Sequence, residues 1–78
     1  MTRFLAVYDY GMGGLWGIVE AASAEEILAV YPELVIVDAR PEWMDDERWA
    51  KLNADAQSLY DPPRGILGAI LAARDRAT

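Results

Sequence analysis

The chain has 78 residues, seven basic against thirteen acidic side chains, and neither cysteine nor histidine. Zero Cys excludes disulfides, thiolate catalysis and Cys-based metal or redox centres, and zero His excludes Ser–His and Cys–His dyads and imidazole ligands. A net charge of −6 opposes binding to a phosphate backbone, and the length suits one domain over residues 1–78, near the lower size at which a core alone supports a fold.

Residues 3–10, Arg-Phe-Leu-Ala-Val-Tyr-Asp-Tyr, are aromatic and branched with no breaker, and predict a strand. Gly11-Met12-Gly13-Gly14 follows, then a second apolar run, Leu15–Ala21. Two such runs around a Gly-rich four-residue loop predict a β-hairpin that pairs Tyr10 with Leu15 and Tyr8 with Gly17, the Tyr8 ring covering the bare glycine. The loop leads into a strand rather than a helix, and no Lys follows it, so it is not a phosphate cradle.

In that register one hairpin face carries Phe4, Ala6, Tyr8, Tyr10, Leu15, Val19 and Ala21. The other carries Leu5, Val7, Trp16 and Ile18, framed by Arg3, Asp9 and Glu20. Both faces are apolar in the middle, unlike a sheet with one side in water. Either helices cover both, or a second chain covers one. Only two helices of the chain are well patterned, which predicts a homodimer through Leu5, Val7, Trp16 and Ile18. The hairpin also holds an acid–base group that works without imidazole, Tyr8, Asp9, Tyr10 and Glu20, and these are the catalytic candidates if the chain is an enzyme. Asp9 and Glu20 fall at opposite ends of one face, with Arg3 beside Glu20 as a surface ion pair.

Ser23-Ala24-Glu25-Glu26 has the form of a capping box and starts a helix whose Ala24, Ile27, Leu28 and Tyr31 share one face. Pro32 stops it. Leu34-Val35-Ile36-Val37 reads as a short buried strand, ended by Asp38-Ala39-Arg40-Pro41. Asp45-Asp46-Glu47 opens a second helix with acids at the positive end of its dipole and a weak apolar stripe of Trp49, Leu52 and Ala56. Residues 57–60 are a candidate fourth, edge strand. Asp61-Pro62-Pro63 is a stiff stop before a last helix from about Arg64 to Asp75, with Leu67, Ile70, Leu71 and Arg74 on one face. The order predicts an α+β fold: a mostly antiparallel sheet of three strands, or four if residues 57–60 pair, in spatial order 2-1-3, with about three helices.

Pro41-Glu42-Trp43-Met44-Asp45-Asp46-Glu47-Arg48-Trp49 is the most distinctive stretch. Trp and Met are enriched in the cores of interfaces, which makes Trp43, Met44, Asp45, Asp46 and Glu47 a candidate partner-binding surface. Residues 41–61 hold six acids against two bases, a net −4. That balance fits a partner with a basic surface. A carboxylate-only cation site at Asp45, Asp46 and Glu47 is disfavoured, because consecutive helical residues point apart and the alternating spacing of a calcium loop is missing. No metal, cofactor or nucleic acid is implied.

The pattern Tyr8-Asp9-Tyr10-Gly11-x-Gly13-Gly14-Leu15-Trp16-Gly17, with Arg40-Pro41-x-Trp43-Met44 later, resembles a group of small bacterial proteins. No activity attaches to that group, so the resemblance implies no catalytic or binding residue. The apolar start, interrupted at Asp9, is too short for a signal peptide. The apolar run 65–73 is about half a membrane span. The chain therefore reads as cytoplasmic and without a membrane segment. The function that best fits is a small acidic protein-binding module, such as an inhibitor, an immunity or antitoxin-like protein, or an accessory subunit. A homodimeric α+β enzyme using Tyr and Asp, and a structural homo-oligomer, are the alternatives.

Overall fold

The computed structural model describes residues 1–11 and 13–77. The elements are β1 (Thr2–Asp9), β2 (Gly14–Ala21), α1 (Ala24–Val30), β3 (Leu34–Val37), α2 (Asp46–Ala54), β4 (Gln57–Ser58) and α3 (Gly65–Ala77). The four strands form one mixed sheet in the order β3-β1-β2-β4. β1 is antiparallel to both β2 and β3, and β4 joins beyond β2, parallel to it. This is the α+β class expected, with the 2-1-3 neighbourhood kept and the two-residue edge strand added.

The hairpin register differs from the expected one. Tyr8 pairs with Leu15, Asp9 with Gly14 and Ala6 with Gly17. The four-residue loop survives but slides one residue toward the N-terminus, to 10–13, which moves every pair by two. Asp9 is the cause. Its carboxylate accepts from the Gly11 N–H at 2.8 Å, the local turn that Asp favours. The Tyr10 N–H then donates to the Gly13 carbonyl at 3.2 Å. Gly11 and Gly13 supply the positive φ values, 90° and 154°. Met12 of the expected loop lies outside the described residues. Gly17 is consequently not beneath Tyr8: α3 covers it, and a Cβ at Gly17 would stand 2.9 Å from Ile66 Cγ2.

A shift of two residues leaves the faces as expected, because side chains alternate with period two. On one face Ala6, Val19 and Ala21 form a buried cluster with Ile27 and Tyr31 from α1, Leu34 from β3, and Ile66, Leu67 and Ile70 from α3. Ile66 joins the face of α3 that periodicity had limited to Leu67, Ile70, Leu71 and Arg74. Leu28, assigned to the buried side of α1, is instead exposed.

On the opposite face Leu5 and Ile18 are buried as well, and this corrects the expected dimer surface. The chain covers that face itself. α2 packs against β2, and its weak stripe, Trp49 and Leu52 half-buried, is supplemented by Met44, 2% exposed in the turn ahead of it. Val7 and Trp16 remain half-buried. Helices thus lie on both sides of the sheet.

The capping box at the start of α1 is half made. The Ser23 hydroxyl accepts from the Glu26 N–H at 3.2 Å. The Glu26 carboxylate, expected to reach back to Ser23, bonds the Tyr60 hydroxyl, and this raises the phenol above its ordinary value of 10.0. Tyr60 also accepts from the Ala22 N–H at 3.1 Å, so it ties the segment after β4 to the start of α1. At the other end, Arg74 of α3 grips Glu33 with two bonds of 2.6 Å and donates to the Val30 carbonyl at 2.9 Å. Its guanidinium stands 5.5 Å from the Tyr31 ring.

Candidate partner-binding surface

Residues 41–51 build an open surface from the chain upward. The Met44 N–H donates to the Pro41 carbonyl at 3.1 Å, closing a turn. Asp45 is the N-cap of α2 and accepts from the Arg48 N–H at 2.8 Å. The turn sends consecutive side chains in opposite directions. Met44 goes into the core, so it is not available to a partner as expected. Trp43 goes outward and is 60% exposed.

Trp43 is held although it is exposed. Its ring meets Trp16 of β2 edge-on, centroids 5.2 Å apart at 76°. Such aromatic pairs add about 0.5–1.5 kcal/mol beyond their buried area. The Arg48 guanidinium stands 5.6 Å from the same ring, within cation–π range. Trp43, Asp45, Glu47, Arg48 and Lys51 line an open groove of about 410 Å³. The sequence marked the Trp and the acids. It gave no sign of Trp16, whose contact depends on the hairpin register, or of Arg48 and Lys51, which a helical turn brings back beside Trp43.

The acids have separate duties. Asp45 caps the helix. Asp46 pairs with Arg40 at 2.8 Å, and Arg40 lies 5.8 Å from the Trp49 ring. Glu42 and Glu47 are exposed and carry no ion pair among the described residues. Among the described residues no three carboxylates are grouped to hold a metal ion.

The alternative acid–base group is not brought together. Asp9 pairs with Gly14 at one end of the hairpin and Glu20 with Arg3 at the other, six ladder steps away, or roughly 20 Å at ~3.3 Å per residue. Glu20 lies 3.5 Å from Arg3, as expected of a surface pair. The Tyr8 and Tyr10 rings, 6.2 Å apart, sit on the opposite face. No helix of the described residues is long and apolar enough to cross a membrane. Comparison with family models, curated proteins and solved structures finds no match to this chain.

Proposed function

We propose that the chain is a small protein-binding module that meets a basic surface of its partner through Trp43 and the exposed acids beside it, in the manner of an inhibitor, an immunity or antitoxin-like protein, or an accessory subunit. One observation carries the reading: Trp43 is 60% exposed yet fixed between Trp16 and Arg48. A large aromatic side chain already held in one orientation loses little entropy when a partner covers it. Trp is also one of the residues enriched among interface anchors. Glu42 and Glu47, neither held in an ion pair among the described residues, supply steering charge, Glu47 from the first turn of α2.

Affinity capture from the source cells, with wild-type and Trp43→Ala chains as baits, tests the anchor. The partner should be retained by wild type and lost by the variant, an effect of about 2 kcal/mol or more, roughly 30-fold in affinity. The charge is tested with Glu42→Lys/Glu47→Lys, which spares the Asp45 cap and the Asp46 ion pair. Association should slow, and its dependence on ionic strength should flatten or reverse. If Trp43→Ala captures the same protein with unchanged affinity, the groove is not the binding surface.

A further inference from the structure

β3 forms one edge of the sheet. Its four residues, Leu34-Val35-Ile36-Val37, contain no charge and no proline, and the ladder to β1 runs without a bulge. Sheet edges are ordinarily guarded by such devices or by shortness; of these β3 has only its length of four residues. Val35 is 57% exposed.

The hairpin fixes which backbone groups of β3 face outward. Tyr10 donates to Gly13 in step with the pairs Tyr8–Leu15 and Ala6–Gly17, so the even residues of β1 turn their N–H and C=O toward β2. The odd residues Leu5 and Val7 turn toward β3, where Val37 and Val35 stand opposite them. Leu34 and Ile36 therefore direct their backbone groups outward, and the same alternation reaches Asp38. The Leu34 N–H already donates to the Tyr31 carbonyl at 3.1 Å. Four groups are left: Leu34 C=O, Ile36 N–H, Ile36 C=O and Asp38 N–H. No turn or loop hydrogen bond among the described residues uses any of them.

This set is self-complementary. An antiparallel copy of the strand with Ile36 on the two-fold axis satisfies all four groups: each Ile36 N–H donates to the other Ile36 C=O, and each Asp38 N–H to the other Leu34 C=O. A copy with Val35 on the axis would need the Leu34 N–H that Tyr31 already holds. Charge fits the same register. Glu33 is turned away to Arg74, and Asp38 comes opposite a leucine rather than a carboxylate. A chain of net charge −6 can meet itself along this uncharged strip.

We propose that β3 is a self-association edge on which a second copy of the chain adds its own β3, Ile36 against Ile36, to give one continuous sheet. A four-residue strand buries less than the ~1,200–2,000 Å² of a standard interface, so the dimer forms at high concentration. In this register Val35 of one copy packs on Val37 of the other, in a pair whose Cα atoms are about 4.5 Å apart.

Sedimentation from micromolar to millimolar chain tests this. The mass should rise from 8.7 kDa toward twice that value. Val35→Lys, at a side chain exposed in the single chain, should abolish the rise. Ile36→Pro removes two of the four inter-chain bonds and should weaken dimerisation about 30-fold, at roughly 1 kcal/mol per bond. If either variant loses its circular dichroism, a synthetic chain methylated at the Ile36 nitrogen replaces it and should show the same weakening. The chain has no cysteine, so disulfides report the register cleanly. Val35→Cys and Val37→Cys chains, mixed, should cross-link with each other, and Val35→Cys alone should not. A monomer at millimolar concentration, a dimer undiminished by Val35→Lys, or self-cross-linking of Val35→Cys would each overturn the proposal.

Discussion

Gly17→Ala sets two effects of similar size against each other. Alanine removes the entropic penalty of a glycine in a strand, a gain of about 0.5–1 kcal/mol. Its methyl would also stand 2.9 Å from Ile66 Cγ2, 3.5 Å from Ile66 Cβ and 3.8 Å from Cδ1. Ile66 is buried at the start of α3 among the core residues, and a β-branched side chain has little freedom to turn aside. Overpacking of this kind costs roughly 1–3 kcal/mol, so the clash outweighs the gain and Gly17→Ala should be destabilising by about 1–2 kcal/mol. Leucine lacks the Cγ2 methyl, and Ile66→Leu alone should cost less than about 1.5 kcal/mol. In the double variant the two changes should cost less together than their sum. Urea denaturation of the four proteins closes the cycle, read from the midpoints at constant slope. If Gly17→Ala matches or exceeds wild type, or Ile66→Leu gives it no relief, α3 does not bear on Gly17 as described.

Met44 and Trp43 are neighbours with opposite consequences. Met44→Ala empties a buried site and should cost roughly 2–5 kcal/mol, a large part of the ~4–12 kcal/mol that a chain of this size commands. Trp43→Ala should change stability by about 1 kcal/mol, the worth of its aromatic contact, while removing partner binding. Denaturation midpoints of the two variants measure the contrast, and equal losses would place Trp43 in the core. Glu33 sets part of the acid response: its bond to Arg74 holds the carboxyl below its ordinary value of 4.5. A carboxylate with a depressed folded pKa contributes stability that is present above its ordinary value of 4.5 and fades as pH falls through the depressed one. Glu33→Gln should therefore trail wild type above that pH and converge with it in acid, read from thermal melts between pH 2 and 7. A difference independent of pH would show that the pair carries no such linkage.

What the sequence could disclose divides along the range of the interactions. Ser23, Asp45 and the Pro32 stop are local devices, and each does in the fold what its neighbours in the chain imply. The three longer strands announced themselves by composition, whereas residues 57–60 read as ambiguous, and only the polar pair Gln57–Ser58 joins the sheet. Coverage of the second hairpin face did not. The stripe on α2 is too weak to predict its packing on β2, and the buried Met44 lies outside the helix. Periodicity counts only residues within an element, and Met44 stands one residue ahead of the cap. For the same reason Trp43 and Met44 looked alike in the sequence. Adjacent residues in a tight turn diverge, and only the turn decides that one is core and the other surface.

The hairpin turn then links the fold to the candidate surface. Asp9 draws the Gly11 N–H to itself and starts the loop one residue earlier than the glycines alone suggest. A loop that slides by one residue moves the pairing by two, and two is the period of a strand. Trp16 therefore stays on the face that α2 covers, where its edge supports Trp43. An odd displacement of the pairing would carry Trp16 to the opposite face, under α3 and away from residues 41–51. Trp43 would then keep its exposure but lose the contact that fixes it. Trp16 thus keeps the face that supports Trp43 in either loop position, and Asp9, two ladder steps from Trp16, sets only how far along the strands the pairing stands.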